Sequence, residues 1–200
     1  EGSKVQYFHG KSDKEEIKFI CDKIKVHKEN GGSYSDCAVL YRSNYVSRFV
    51  EQGLLSENIP YTVYGGVGFY ERAEIKDVLS YMRLVDNLED DLSFKRIINT
   101  PRRKIGKIKM GFLQAYAEEN GTSLYAALKA LCHHDSMKGC KGAEFVESIE
   151  KLRLAADTLP VSELLQMLMK DTGYELYLRE SGDIERLDNV TELLRGIVTQ

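Results

Sequence analysis

The sequence predicts an α/β fold, a partial parallel sheet with covering helices, followed by an all-helical part. Three observations predict it. Apolar runs and helical periodicities alternate over the first 87 residues. Beyond Asn87 the β-branched runs vanish and only helical patterns remain. Between the two regimes stands an acidic turn, Glu89-Asp90-Asp91. The expected division is therefore residues 1–88 and residues 89–200.

Lys4 to His9 reads as a strand, with Val5 and Tyr7 on one side. Asp13 to Lys28 reads as a helix, because Ile17, Ile20, Cys21 and Ile24 recur at helical spacing with charges between them. Ser12 is placed to cap it, with Glu15 three residues on as a capping box, and Gly31-Gly32 ends the unit. The run Cys37-Ala38-Val39-Leu40-Tyr41 suits a buried parallel strand, here bounded at Asp36 and Arg42. Tyr45 to Ser56 reads as a helix, and Tyr61 to Tyr64, after Pro60, as a third short strand. Gly65-Gly66-Val67-Gly68 then leads into a helix from Glu71 to about Asn87. The helices expected in the second part are Leu92–Ile98, Ile108–Glu119, Ser123–Leu131, Ala143–Ala156, Ser162–Lys170 and Glu185–Val198.

At 42% hydrophobic and 30% charged residues the composition is that of an ordinary globular chain rather than a disordered one. No stretch is long and apolar enough to span a bilayer, and no signal segment opens the chain, so no membrane partner is expected and a cytoplasmic location is the default. Four cysteines are too few for a disulfide scaffold of this size. Cys132, His133, His134 and Cys140 could be drawn as a zinc site, but their spacing matches no finger pattern, and no metal is expected there.

The formal net charge of −3 gives no global attraction to nucleic acid, so a basic site must be local. One segment qualifies. Residues 95–109 hold seven basic residues and no acid, whereas residues 110–200 hold nine basic and 15 acidic. Within it, Asn99-Thr100-Pro101-Arg102-Arg103-Lys104-Ile105-Gly106-Lys107 lies between two helical patterns and looks like the turn of a helix-hairpin-helix. Backbone N–H groups at the start of the second helix would attract phosphate, and the flanking cations would release counterions. Such binding is expected to ignore base sequence, with Arg103 and Lys107 on the solvent face. The bland alternative is a solvated basic turn.

A second candidate is Leu40-Tyr41-Arg42-Ser43-Asn44, at the carboxyl end of an expected strand, where α/β sheets bind ligands. Arg42 suits a phosphate and Asn44 a sugar, phosphate or backbone group. The glycines at 65, 66 and 68 match neither a Walker A loop nor a dinucleotide fingerprint. No metalloprotease His-Glu-x-x-His, no Gly-x-Ser-x-Gly and no convincing nucleophile–base pair occurs, so no catalytic residue is assigned.

These segments, in this order, resemble the UvrD/Rep/PcrA family of superfamily 1 DNA helicases. The resemblance rests on Ala38 through Asn44, Ser47-Arg48, Ile59-Pro60-Tyr61, Tyr64-Gly65-Gly66 and Phe69-Tyr70-Glu71-Arg72. It continues through Glu74-Ile75-Lys76-Asp77, Leu79-Ser80-Tyr81, Arg83-Leu84, Asn99-Thr100-Pro101 and Ile105-Gly106, and further on through Ser162 to Gly173 and Arg186 to Asn189. It implies a piece of the second RecA-like motor domain over residues 1–88, followed by its helical insertion over 89–200. Arg42 and Asn44 would contact single-stranded DNA. Thr100, Arg102, Arg103, Lys104, Ile105, Gly106 and Lys107 would grip duplex DNA. Many relatives have glycine where this chain has Lys104, and some a basic residue where it has Gly68.

The resemblance implies an ATP-dependent helicase that steps along single-stranded DNA and unwinds duplex. ATP and Mg2+ would be cofactors of the full-length parent, and its remaining domains would be partners, with no cofactor expected on this piece. The alternative is a non-enzymatic helical module that binds another protein. A purified 200-residue chain is expected to hydrolyse no ATP, since no complete Gly-x-x-x-x-Gly-Lys-Ser/Thr loop occurs in it. DNA-stimulated phosphate release that tracks the pure chain through chromatography would contradict this.

Overall fold

The structure is a computed structural model that describes residues 4–42, 46–64 and 66–198. Packing divides the chain into two compact units, Glu1–Arg72 and Ala73–Gln200.

The first unit is built on two helices. α1 (Asp13–Glu29) starts at Ser12, whose side chain accepts the Glu15 N–H. Asp13, Glu15 and Glu16 lie in its first turn and His27 and Lys28 in its last, the order that the helix dipole favours. Glu15 does not close a reciprocal box on Ser12; its carboxylate takes the Lys11 N–H at 2.8 Å. α2 (Val46–Ser56) packs on α1 through Cys21, Ile24, Val50 and Leu54, with Ile59 completing a small core. Gly53 sits where the helices approach. A Cβ there would lie 2.0 Å from Ile17 Cγ2.

The expected parallel sheet is not formed: among the described residues there is no β-strand, and the fold is all-helical. The segments 4–9, 36–42 and 61–64 carry the apolar patterns of strands, yet among the described residues none pairs with another. Tyr34 to Asp36 form a single 3-10 turn, and beyond it Cys37 and Val39 lean on the α1–α2 core while Leu40 is 93% exposed. Val5 at 99% and Tyr64 at 90% exposure cover no core at all. The physical reason is that a strand is defined by the backbone of its neighbour. Alternation marks which side chains could share a face, but it supplies no partner for the N–H and C=O groups.

The second unit is a helical bundle around α3 (Ala73–Asp86). This helix buries Ile75, Val78, Tyr81, Leu84 and Val85, and with them the polar Glu74, Asp77 and Ser80. α4 (Asp91–Ile97), α5 (Lys107–Asn120), α6 (Leu124–Leu131), α7 (Gly142–Ala156), α8 (Val161–Asp171), α9 (Tyr174–Glu180) and α10 (Ile184–Val198) follow. α3 packs directly on α4, α7, α8 and α10. Tyr81, Phe94, Phe145 and Tyr174 form its aromatic centre, at ring separations of 6.0–6.3 Å. The buried carboxylates are paired. Asp77 accepts from Arg96 Nε at 2.8 Å and from the Tyr174 hydroxyl at 2.9 Å, and Glu74 accepts from Asn189 Nδ2 at 2.7 Å.

The acidic turn expected as a boundary lies inside this unit and has a local task. The Asp90 side chain caps α4 through the Ser93 N–H and hydroxyl, and these bonds hold its carboxyl below the usual range. Asp91 accepts the N–H of Leu124 at 2.8 Å, so it serves the first turn of α6 as well. α9 was not expected. Its seven residues follow Gly173, which is in the left-handed region, and are too few to establish a period. No helix among the described residues is long and apolar enough to cross a membrane.

Gly53→Ala is expected to destabilise the first unit by about 1–3 kcal/mol through overpacking against Ile17, although alanine is the better helix former. Denaturant titration of the variant against the parent chain measures it, and an unchanged or raised midpoint would show that the α1–α2 approach is not close.

Candidate nucleic-acid interface

The basic turn runs from the end of α4 to the start of α5 and is built from behind. Asn99 closes it with one side chain. Its Oδ1 accepts the N–H groups of Arg103 at 3.3 Å and Ile105 at 3.1 Å, while its Nδ2 donates to the Ile105 carbonyl at 2.6 Å. The Thr100–Pro101 peptide within it is cis. The Tyr81 hydroxyl, from α3, donates to the Thr100 carbonyl at 2.6 Å.

Arg103 supplies the main anchor. It is 5% exposed, which corrects the expectation of a solvent-facing side chain. Nη1 donates to the carbonyls of Ile97 at 3.0 Å, Ile98 at 3.3 Å and Pro101 at 3.2 Å. Nη2 donates to the Thr172 carbonyl at 3.0 Å and to the Tyr81 hydroxyl at 2.9 Å. Ile97 and Ile98 end α4, and Thr172 ends α8. One guanidinium therefore meets the carbonyl ends of two helices, where positive charge is stabilised. It also lies over the Phe145 ring, 4.8 Å from its centroid. Burial pushes the Tyr81 hydroxyl's pKa up, with Arg103 pulling the other way.

With Arg103 turned inward and Ile105 buried, the exposed residues of the turn are Asn99, Arg102, Lys104, Gly106 and Lys107; Thr100 is half-buried. Lys104 has φ +59°, a left-handed conformation that disfavours a Cβ by roughly 1–2 kcal/mol. Glycine would relieve this. α5 begins at Gly106 without a side-chain cap, and a Cβ there would meet nothing within 4 Å. The start of α5 is thus open to an approaching anion. Lys109 is engaged, donating to the Lys138 carbonyl at 2.9 Å.

The other candidates are less built. Arg42 is exposed, and Asn44 lies outside the described residues. Gly10-Lys11-Ser12 carries the last three residues of a Walker A pattern, but Val5 stands where its first glycine belongs. Carboxylates already occupy the backbone there: Glu16 takes the Gly10 N–H at 3.2 Å, Glu15 takes that of Lys11, and Ser12 caps α1. These residues do not fit a phosphate loop for ATP. Near the glycine segment, Glu51 accepts the Phe69 N–H at 2.9 Å and the Tyr61 hydroxyl at 3.2 Å. Burial, with the Glu51 charge second, pushes the tyrosine up to about 12. Glu51 Oε2 would lie 3.0 Å from a Cβ at Gly68, a position that the structure gives to a carboxylate neighbour rather than to an open surface. His134 spends Nδ1 on the Ser136 N–H and hydroxyl, and no group of three or more metal-ligating side chains converges among the described residues.

Sequence reading missed Tyr81 and Asn99 as the scaffold of the turn. No periodicity marks them. The nearest signal was their presence in the segments that carry the family resemblance.

Arg103→Ala is expected to lower the stability of the second unit by more than about 3 kcal/mol, because four carbonyls and a hydroxyl lose their donor inside the fold. A fall in Tm on the order of 10 °C by calorimetry corresponds to that. Arg103→Lys should recover only a small part, since one ammonium cannot span those acceptors. Lys104→Gly, in contrast, should raise stability by about 0.5–1 kcal/mol. A destabilising glycine would rule out strain at Lys104.

A family model described as the UvrD-like helicase C-terminal domain matches residues 1–194. The ATP-dependent DNA helicase PcrA of Staphylococcus epidermidis is 36% identical over 198 residues, covering 96% of this chain. DNA helicase II of Haemophilus influenzae is 37% identical over 199 residues, and PcrA of Staphylococcus aureus 35% over 198. The chain spans 27% of the length of each of these relatives. The match over residues 1–194, with relatives 35–37% identical over 96% of the chain, places this chain in the UvrD-like helicase C-terminal domain family.

Proposed function

We propose that this chain is the DNA-handling part of an ATP-dependent helicase that moves along single-stranded DNA and unwinds duplex. The observation that carries the reading is the turn itself. Arg102, Lys104 and Lys107 stand exposed at the open start of α5, on a loop held rigid from within by Asn99, Tyr81 and Arg103. Rigid backbone and exposed cations suit the regular phosphates of a duplex, and phosphate contacts carry no base information. The names of the relatives, ATP-dependent DNA helicase PcrA and DNA helicase II, support the same class.

In this reading Thr100, Arg102, Lys104, Gly106 and Lys107 meet the duplex, while Arg103 and Ile105 hold the turn in place behind them. Arg42, with Asn44, serves the single strand. Residues 1–88 belong to the second motor domain and 89–200 to its helical insertion. ATP and Mg2+ act elsewhere in the parent and supply the driving force. The remaining helicase domains are the partners, and the setting is cytoplasmic.

Changing Lys104 and Lys107 together to Ala is expected to flatten the slope of log K against log salt for duplex binding by up to roughly two units. The affinity loss should be the same on unrelated duplex sequences, with stability within about 0.5 kcal/mol of the parent. Fluorescence anisotropy on labelled duplexes reads both. An unaltered slope would favour the protein-interaction module instead. Arg42→Ala should weaken single-strand binding with an unchanged circular dichroism spectrum, and equal affinity for single strands would remove Arg42 from the site.

A further inference from the structure

The cations that the sequence placed in one segment are not the whole of the basic surface. Residues 132–141, which by spacing looked like a chance grouping of cysteines and histidines, form a loop that lies against the turn. The Lys141 N–H donates to the Arg103 carbonyl at 3.0 Å. The Lys109 ammonium donates to the Lys138 carbonyl at 2.9 Å. Met137, 1% exposed, seats the loop in the core beneath, and Gly139 at φ +76° turns the chain between the two lysines. Gly142 then starts α7 so close to α6 that a Cβ would lie 3.0 Å from Leu128 Cδ1. The loop is therefore fixed at both ends, and Lys138 and Lys141 are exposed beside Arg102, Lys104 and Lys107.

We infer that Lys138 and Lys141 are a second phosphate-contacting strip for duplex DNA, continuous with the turn. The inference rests on the duplex reading of the turn and extends its footprint to residues that nothing in the linear charge pattern picks out. Three features support a duplex backbone as the occupant. The two loops are joined backbone to backbone, so their spacing is held. The charge they present is positive, in a region whose sequence is acidic overall. The Lys109 ammonium donates to the loop's own carbonyl, which ties the loop to α5 and leaves its positive charge at the same face. Two acids lie nearby: Asp135, exposed in the loop itself, which leaves residues 132–141 with a net positive charge, and Glu144, whose Oε2 lies 3.6 Å from Lys141 Nζ, an exposed pair of little strength.

The test measures duplex binding by anisotropy over a range of salt for the parent chain and four variants. Lys138→Ala with Lys141→Ala should flatten the log–log slope by up to roughly two units, as the Lys104 and Lys107 pair does. Lys129→Ala with Lys151→Ala removes the same charge from lysines paired with Glu150 and Glu147, and should leave the slope unchanged. Glu144→Gln should tighten binding roughly twofold. If the Lys104 and Lys107 pair flattens the slope and the Lys138 and Lys141 pair does not, the second strip is overturned and the turn stands. If neither pair flattens it, the duplex reading falls and the strip with it. Equal flattening by the Lys129 and Lys151 control would reduce the effect to net charge and overturn the inference.

Discussion

A guanidinium taken out of water is tolerated only where acceptors replace its hydration on every side. Arg103 has such a place. The carbonyls that end α4 and α8, the Pro101 carbonyl and the Tyr81 hydroxyl surround it, and the Phe145 ring lies beneath it. The acceptors come from the turn itself, from the adjoining end of α4, and from α3 and α8, which are distant in sequence, so the cation is satisfied only when the bundle has closed. The converse also holds. Without the cation, the ends of two helices would meet with their carbonyls unpaired. The fold of the second unit and the shape of its basic turn are one requirement seen from two directions.

That arrangement separates two uses of positive charge within a few residues. Arg103 points inward and organises; Arg102, Lys104 and Lys107 point outward and are available to a ligand. The backbone conformation at Lys104 is the strained element of the outward face. A tight turn that crosses into the left-handed region suits glycine, and a lysine there trades some local stability for one more surface cation. Asn99 makes the crossing possible by holding the N–H groups on either side of Lys104.

The two units differ in how far their cores can enforce a structure. The bundle buries aromatic rings, two paired carboxylates and the arginine in one continuous interior. Among the described residues the first unit rests on a cluster of five buried apolar residues on and beside α1 and α2, with Phe69 buried outside that cluster. Helices satisfy their own backbones, so α1 and α2 form even on that small core. Segments with strand alternation have no such internal solution and remain unpaired. Exposed Val5, Tyr7, Leu40 and Tyr64 are the visible consequence.

Local physics was legible in the sequence. Helical periodicity, the Ser12 cap and the glycines after α1 located α1 to α8 and α10 to within a few residues. The run of seven basic residues without an acid located the turn. Each of these is a property of neighbouring residues, and neighbours are what a sequence records. The side of the turn on which each cation lies was not legible, because Arg102, Arg103 and Lys104 are alike as letters. Only the convergence of α3, α4 and α8 makes one of them a core residue. The sheet failed for the same reason in reverse. The alternating segments state which faces are apolar, but pairing requires a second backbone at hydrogen-bonding distance, and tertiary structure alone decides that. Lys138 and Lys141 complete the case: some 35 residues beyond the turn in sequence, they join its surface through the backbone hydrogen bond from Lys141 to Arg103.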